Sequence, residues 1–342
     1  MNELGLVVIG RNEGDRLKAC LSSVVNKVKH IVYVDSGSID SSIEIAQALG
    51  IEVVELDLNT PYSAARARNK GFVHLMAIAP RIKFVQFVDG DCEVADGWLE
   101  TALFELQTRS EFAVVCGRRR ERFIQRSIYN LLCDLEWDTP IGEAKACGGD
   151  AMMRVSAFKQ VNGFNSSLIA GEEPELCVRL RGRGWKILRL STEMTLHDAR
   201  ITKFSQWWNR TMRAGHAYAE GAWLHGRSRE KHWVKESNSI WFWGALLPLF
   251  TLSTVWLSQG WSLLLLIGYP ILIYRIYSHK KQEVPNRTAF LYAWFCAIGK
   301  FPQTQGQIRF YLARFCQRQS TLVEYKTLAT NTKTISYEKN SG

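Results

Sequence analysis

Asp89-Gly90-Asp91 sets two carboxylates one glycine apart at the end of the apolar run Phe84-Val85-Gln86-Phe87-Val88. Two hard oxygen donors in a turn that glycine permits suit Mg2+ or Mn2+ carrying a diphosphate, because such ions are held by one or two carboxylates plus substrate phosphates. A short β-forming run reads as a buried strand, and in open α/β sheets ligands gather beyond the carboxyl ends of the strands. Alone, the triplet describes a solvated Asp-Gly turn equally well, so its meaning depends on its company. Gly171-Glu172-Glu173-Pro174 puts two acids at a helix start, with Pro174 suited to the first helical position. Helix capping accounts for such acids unless a crevice lies beside them. In Cys147-Gly148-Gly149-Asp150 the paired glycines let backbone come close to a ligand, or form a plain turn. The run Arg118-Arg119-Arg120-Glu121-Arg122 could meet phosphate, although a solvated face explains it slightly better, and a lone His197 is more often structural than a ligand.

The elements that must position these groups follow a strand, loop, helix rhythm. Leu4 to Ile9 is strand-like, Gly10-Arg11-Asn12-Glu13-Gly14-Asp15 is a polar loop, and Leu17, Leu21 and Val24 mark a helix. Ile31 to Val34, the loop Asp35 to Asp40 and the helix Ser41 to Leu49 repeat the unit, with Gly50 as its stop. Ile51 to Val54, the cationic small-residue helix from Ser63, and the Phe84 strand come next. Gly97 to Thr108 reads as a helix, and Ala113 to Gly117 and Trp185 to Leu190 as further strands. Parallel strands joined by right-handed crossovers open their carboxyl ends on one edge, which brings Glu13, Asp35, Arg68, Asp89 and Asp91 towards a common crevice. Neither of the first two βα turns carries Gly-x-Gly-x-x-Gly, which argues against a dehydrogenase.

Charge is divided unevenly along the 342 residues. From Arg200 onward there are 19 Lys/Arg against 6 Asp/Glu, whereas residues 1–199 carry 24 against 27. The basic part surrounds uncharged, Trp- and Tyr-rich runs at Ile240 to Leu257 and Trp261 to Tyr274, which favours an anionic membrane surface over nucleic acid. Cations lie before the first run (Arg227, Arg229, Lys231, Lys235) and after the second (Arg275, Lys280, Lys281, Arg287), with none between. The positive-inside rule then reads a hairpin whose two ends, and the amino-terminal domain, are cytoplasmic at the cell (inner) membrane; a buried hairpin in a soluble domain is the rival. Thr288 to Phe315 reads as an interfacial amphipathic helix broken near Pro302. Eight scattered cysteines without a Cys-x-x-Cys pair suit reduced thiols, and no signal peptide is expected at the amino terminus.

Five ordered stretches together resemble the family 2 glycosyltransferases, inverting enzymes of the GT-A fold that use nucleotide-sugar donors. They are Val8-Ile9-Gly10-Arg11-Asn12-Glu13, Val34-Asp35-Ser36-Gly37-Ser38-Ile39-Asp40, Ala65-Arg66-Ala67-Arg68-Asn69-Lys70-Gly71, Val88-Asp89-Gly90-Asp91, and Gly171-Glu172-Glu173-Pro174-Glu175-Leu176 with Arg179. The resemblance spans roughly residues 4–200. It implies that Glu13 and Asp35 contact base or ribose, that Gly10, Asn12 and Ser38 belong to the same donor loops, and that Arg68 and Asn69 line the donor site. It further implies that Asp89-Gly90-Asp91 holds the metal diphosphate, with Asp89, Asp91 and His197 as ligands of Mn2+ or Mg2+. Glu173 takes the place of the general base beside Glu172, although the usual pattern there is Glu-Asp. Gly148, Gly149 and Asp150 would then face the acceptor or the donor sugar.

The expected fold is thus α/β: a GT-A domain at 1–225, Rossmann-like with a mostly parallel sheet flanked by helices, then a membrane-associated helical region at 226–325. The latter contains the hydrophobic hairpin (about 240–277) and the amphipathic helix (about 288–316), and a polar tail fills 326–342. The expected partners are a nucleotide-sugar donor, a membrane and a lipid-linked or glycan acceptor, with no nucleic acid. A nucleotidyltransferase and a non-catalytic membrane-anchored scaffold are the alternatives.

Overall fold

A computed structural model describes residues 1–57 and 59–316; the polar tail lies outside the described residues. Among the described residues nine strands form one sheet: β1 Leu4–Gly10, β2 His30–Asp35, β3 Glu52–Glu55, β4 Phe84–Asp89, β5 Cys92–Val94, β6 Phe112–Glu121, β7 Gly142–Ala144, β8 Ala151–Arg154 and β9 Lys186–His197. Their order is β3-β2-β1-β4-β8-β6-β9-β5, with β7 also on β9. Strands β3, β2, β1 and β4 are mutually parallel. Beyond β4 the sheet is mixed rather than mostly parallel, because β8 runs antiparallel between β4 and β6 and β5 turns back on β9. Strand β5 follows β4 after only Gly90 and Asp91, whereas α5 and β7 lie between β6 and its antiparallel partner β8.

The register explains why chemistry collects at one edge. Gly10 pairs with Asp35 and Ile9 with Asp89, so the loops after β1, β2 and β4 leave the sheet at the same level. The apolar runs that precede them are buried throughout, as continuous hydrophobic strands covered by helices on both faces require. Helices α1 Asp15–Ser22, α2 Ser42–Ala48, α3 Ala64–Ile78, α4 Trp98–Thr108, α5 Ile128–Trp137, α6 Val155–Gln160 and α7 Glu172–Gly182 complete this part. Helix α3 lies unusually close to the sheet: a Cβ on Gly71 would be 2.4 Å from Val7 and 2.8 Å from Val34. Arg68, one turn earlier on the same face, is thereby delivered to the sheet edge.

Helix α8, Phe204–His225, leads into the carboxyl-terminal helices α9 Val234–Trp241, α10 Leu247–Thr254, α11 Gly268–Lys280, α12 Asn286–Ile298 and α13 Lys300–Phe315. The expected hairpin is present as two apolar arms: a π-turn at Phe242–Leu246 joins α9 to α10, and a 3-10 stretch at Trp261–Ile267 runs into α11. Only Trp261–Lys280 is long and apolar enough to cross a membrane among the described residues. The expected amphipathic helix is two helices that meet at Gly299, with Pro302 inside the first turn of α13, where a missing N–H costs nothing. Helix α13 is seated backbone to backbone on α8. A Cβ on Gly215 would lie 2.0 Å from the Gln303 carbonyl, and one on Gly306 2.0 Å from that of Met212.

Candidate functional site

The first two loops lock each other. Asn12, at φ 54°, donates its amide N–H to Ser38 Oγ (2.9 Å) and accepts from the Ile39 N–H at its Oδ1 (2.8 Å). The Asp35 carboxylate is buried; it accepts from Tyr33 OH (2.8 Å), Ser38 Oγ (2.5 Å), and the Gly37 and Ser38 amides (2.8 and 2.7 Å). Glu13 pairs with Arg16 at 2.6 Å, and a Cβ on Gly10 or Gly90 would press on its side chain at 3.1 or 3.3 Å. These expected donor residues therefore stand together at one sheet edge. Asn69 is employed otherwise: its side-chain amide donates to the Phe164 carbonyl and accepts from the Phe164 N–H, clamping the 164–166 loop to α3.

Beside them lies an ionic cluster. Arg68, 2% exposed, reaches Asp89 Oδ1 (2.7 Å), Glu172 Oε1 (2.9 Å) and Glu173 Oε1 (3.2 Å). Arg119 holds the other Asp89 oxygen at 2.8 Å and donates to Asp150 Oδ2 at 2.9 Å, while Asp150 accepts from the Asp89 N–H and from Thr195 Oγ1. Asp89 was expected to ligate a cation beside Asp91. Both its oxygens meet guanidinium groups, which, against the opposing effect of burial, keep its carboxyl well below the usual range, and with Cys92 and Asp150 it forms a second group of donors close enough for an ion. Gly149 seals the cluster: a Cβ there would be 2.5 Å from Arg68 Nη2, 2.7 Å from Asp89 Oδ2 and 3.1 Å from Glu173 Oε1. Its close approach is to these side chains; a Cβ on Gly148 would meet open space.

Helix α7 starts two residues earlier than Pro174 suggests, so Glu172 and Glu173 both sit in its first turn behind Gly171, at φ 80°. Glu172 is buried and Glu173 partly open to solvent. Burial, and then the neighbouring Glu172, push the Glu173 carboxyl up to about 7 against the pull of Arg68. A carboxylate near neutrality with solvent access has the acidity a general base needs at physiological pH.

A second group forms where β5 pairs with β9. Cys92 lies opposite His197, and His197 also pairs with Glu121 of β6. The imidazole is thus caught between Asp91 Oδ2 at 3.2 Å from Nε2 and Glu121 Oε2 at 3.4 Å from Nδ1. Burial holds the His197 imidazole below its ordinary pKa against the pull of Glu121. Two electron-pair donors in apposition, with a carboxylate orienting the histidine from behind, fit a divalent cation between them. The third nearby donor, the Cys92 thiol, is pushed well up by burial and stays protonated. Asp91 and His197 supply the oxygen and imidazole donors that Mn2+ accepts.

Arg119 and Glu121 were not singled out by sequence, having been read as part of a solvated cationic run. A signal existed: β6 continues to Glu121, and its alternation sends Arg119 and Glu121 inward to the site while Arg118 meets Asp134 and Arg120 meets Glu193.

Residues 6–161 match the model of Glycosyl transferase family 2, and residues 133–203 that of the N-terminal domain of galactosyltransferase. No curated protein matches. Among solved structures, a mannosyltransferase from Pyrobaculum calidifontis in complex with GDP-Man and Mn2+ shares the fold at a TM-score of 0.58, 13% identity, over 90% of this chain and 87% of its own. That share includes helices beyond residue 225. Glucosyl-3-phosphoglycerate synthase from Mycobacterium tuberculosis, in complex with phosphoglyceric acid, gives 0.47 at 16% identity over 63% of this chain and 77% of that one.

Proposed function

We propose, for a chain that is a glycosyl transferase family 2 enzyme through residues 6–161 and has the GT-A fold, that it moves a sugar from a nucleoside-diphosphate donor to an acceptor hydroxyl with inversion at the anomeric carbon. The observation that carries this reading is the pairing of two differently tuned centres at one sheet edge. Glu173 has the acidity of a base, and Asp91 with His197 forms a cation site.

The loops holding Asn12, Glu13, Asp35 and Ser38 receive the nucleoside end of the donor. Asp91 and His197 would hold Mn2+ or Mg2+; when bound, the ion offsets the charge that grows on the departing diphosphate. Asp89, fixed by Arg68 and Arg119, keeps the strand end and the base in register. Glu173 accepts the proton of the acceptor hydroxyl as its oxygen attacks from the face opposite the leaving group. The Pyrobaculum enzyme, solved with GDP-Man and Mn2+, supports a nucleoside-diphosphate sugar and a divalent ion as the first ligands to try.

The acceptor is membrane-associated, a lipid-linked saccharide or a lipid. Trp256 at 91%, Leu257 at 84% and Trp261 at 73% exposure form an apolar tip at the hairpin turn, and cations stand at the two far ends of the arms. Such a surface is stable against bilayer interior and interface, not against water. The exposed apolar tip and the flanking cations support a location at the cell (inner) membrane with the amino-terminal domain cytoplasmic.

A panel of nucleoside-diphosphate sugars with Mn2+, scored by thermal stabilisation and then by acceptor-dependent release of free nucleoside diphosphate, tests the reading. Release of pyrophosphate instead would identify nucleotidyl transfer. Full activity on soluble sugars by a protein that fractionates without detergent would remove the membrane acceptor.

A further inference from the structure

The segment between α8 and α9 ends in a residue with an unusual backbone. Trp233 has φ 55° and ψ 12°, in the left-handed region, where a bulky side chain is a genuine outlier. Surroundings that over-determine such a conformation are expected where it persists, and the indole is indeed held on several sides. It stacks on His232 (ring centroids 4.3 Å, 26°) and meets the edge of Tyr218 at 4.9 Å. It also fills a notch at Gly221 of α8, where a Cβ would come within 2.4 Å of Trp233 Cε3.

The far edge of the same ring touches the start of α7. A Cβ on Gly171 would be 3.2 Å from both Trp233 Cη2 and Cζ3, and 3.1 Å from the Ala217 methyl. Gly171 is the residue from which α7 departs, and the next two are Glu172 and Glu173. The direction in which the first turn projects its carboxylates is set by that departure. The Glu173 carboxylate itself is met by Arg68 from α3 and by the close approach of Gly149, neither of which holds the backbone of the helix start. At its other end Trp233 opens α9, its carbonyl accepting from the Ser237 N–H at 2.9 Å.

We infer that Trp233 is a positioning residue for Glu173: its indole braces Gly171 and so fixes the base, and it ties the apolar helices rigidly to the catalytic helix. The inference rests on Glu173 being the base. Trp233 touches no reacting atom and acts only through the helix start. A shift of α9 against α8 moves the ring, and the ring moves the helix start.

The test is a double-mutant cycle in the full chain, with Trp233→Ala, Glu173→Gln and the double variant, using whichever nucleoside-diphosphate sugar the donor panel identifies. Trp233→Ala is expected to lower kcat at least tenfold with the donor KM within twofold of wild type. Trp233→Phe, which keeps a six-membered ring, should lose only about threefold. In the Glu173→Gln background, Trp233→Ala should change the residual rate less than twofold, since residues acting through one group are non-additive. Additive losses, or a donor KM that rises in step with the fall in kcat, would assign Trp233 a general structural role and overturn the inference. If Trp233→Ala does not fold, Trp233→Phe carries the cycle with a loss of about threefold that must likewise vanish on Glu173→Gln. Failure of the premise is distinguishable, because Glu173→Gln alone would then transfer at wild-type rates.

Discussion

Replacing Arg68 with methionine removes the one guanidinium that Asp89, Glu172 and Glu173 share, while leaving a side chain of similar length in a space that is 2% exposed. Arg119 remains, but it reaches only Asp89 and Asp150. Breaking a buried pair by removing one partner costs about 3–5 kcal/mol. Because one cation here serves three anions, about 5 kcal/mol is expected at pH 8. At roughly 2 °C per kcal/mol for a chain of this size, Tm should fall by about 10 °C. The pH dependence has a definite sign. In the variant, buried unpaired carboxyls have folded pKa values raised above their unfolded ones, so stability is retained at low pH and lost as pH rises. In the wild type, despite burial, Arg68 and Arg119 hold the Asp89 carboxyl below its ordinary pKa. That contribution is present at neutral pH and fades as pH falls. The two Tm curves must therefore converge on acidification. Melting followed by circular dichroism at pH 5, 6, 7 and 8 measures this. A gap below 2 °C at pH 8, or one equally wide at pH 5, would refute the account of the cluster.

Glu173→Gln should reduce transfer about 100- to 10,000-fold while leaving nucleotide-sugar affinity within a few-fold, as measured by calorimetry. With its carboxyl at about 7, the wild-type rate should rise through that pH and fall roughly tenfold per unit below pH 6; a flat profile from 5 to 8 would exclude Glu173 as base. Asp91→Asn and His197→Ala should each weaken Mn2+-dependent donor binding, and Glu121→Gln, which disturbs the support behind His197 together with the bonds Glu121 accepts from Asn130 and the Phe123 and Ala199 amides, should do so by about 10- to 100-fold; donor binding indifferent to EDTA would speak against the site. Gly149→Ala introduces a methyl 2.5 Å from Arg68 Nη2 and 2.7 Å from Asp89 Oδ2, for an expected loss of about 1–3 kcal/mol in chemical denaturation. Replacing Trp256 and Trp261 together with serine should shift the protein from the vesicle pellet to the supernatant in flotation assays without lowering Tm; unchanged partition would show that the hairpin tip is not the membrane contact.

Much of the site was legible because the relevant side chains sit where a strand becomes a loop, and that transition is written as an apolar run broken by Gly, Asn or Asp. Gly10, Asp35 and Asp89 follow it, whereas the α7 acids are marked instead by Gly171 and Pro174 at a helix start. Arg119 and Glu121 were hidden because a charged run reads as solvated unless it is recognised as the continuation of a strand. The sheet edge that buries them is contributed by β8 and β9, distant in sequence. The three-residue strand β5 is too short for any periodicity, yet it sets His197 beside Asp91. What no sequence pattern announces is that the Asn69 amide also ties the 164–166 loop to α3. The helices after residue 225 were readable as apolar arms, but the close crossing of α13 on α8 depends on Gly215 and Gly306 facing backbone across a gap that no local pattern announces.

Asp35 has a stoichiometric consequence. A carboxylate offers about four lone-pair positions, and the Tyr33 hydroxyl, the Ser38 hydroxyl and two loop amides already occupy that number. A donor that reaches Asp35 must therefore displace an occupant, and displacing the Ser38 side chain would also release the Asn12 N–H that its Oγ accepts. Exchange of one hydrogen bond for another is close to neutral in free energy, so Asp35 would select which nucleoside fits without tightening its grip on any of them. Asn at this position could keep its oxygen on the Gly37 and Ser38 amides only by turning its NH2 towards the Tyr33 and Ser38 hydroxyls, and Ser38 Oγ already accepts the Asn12 N–H.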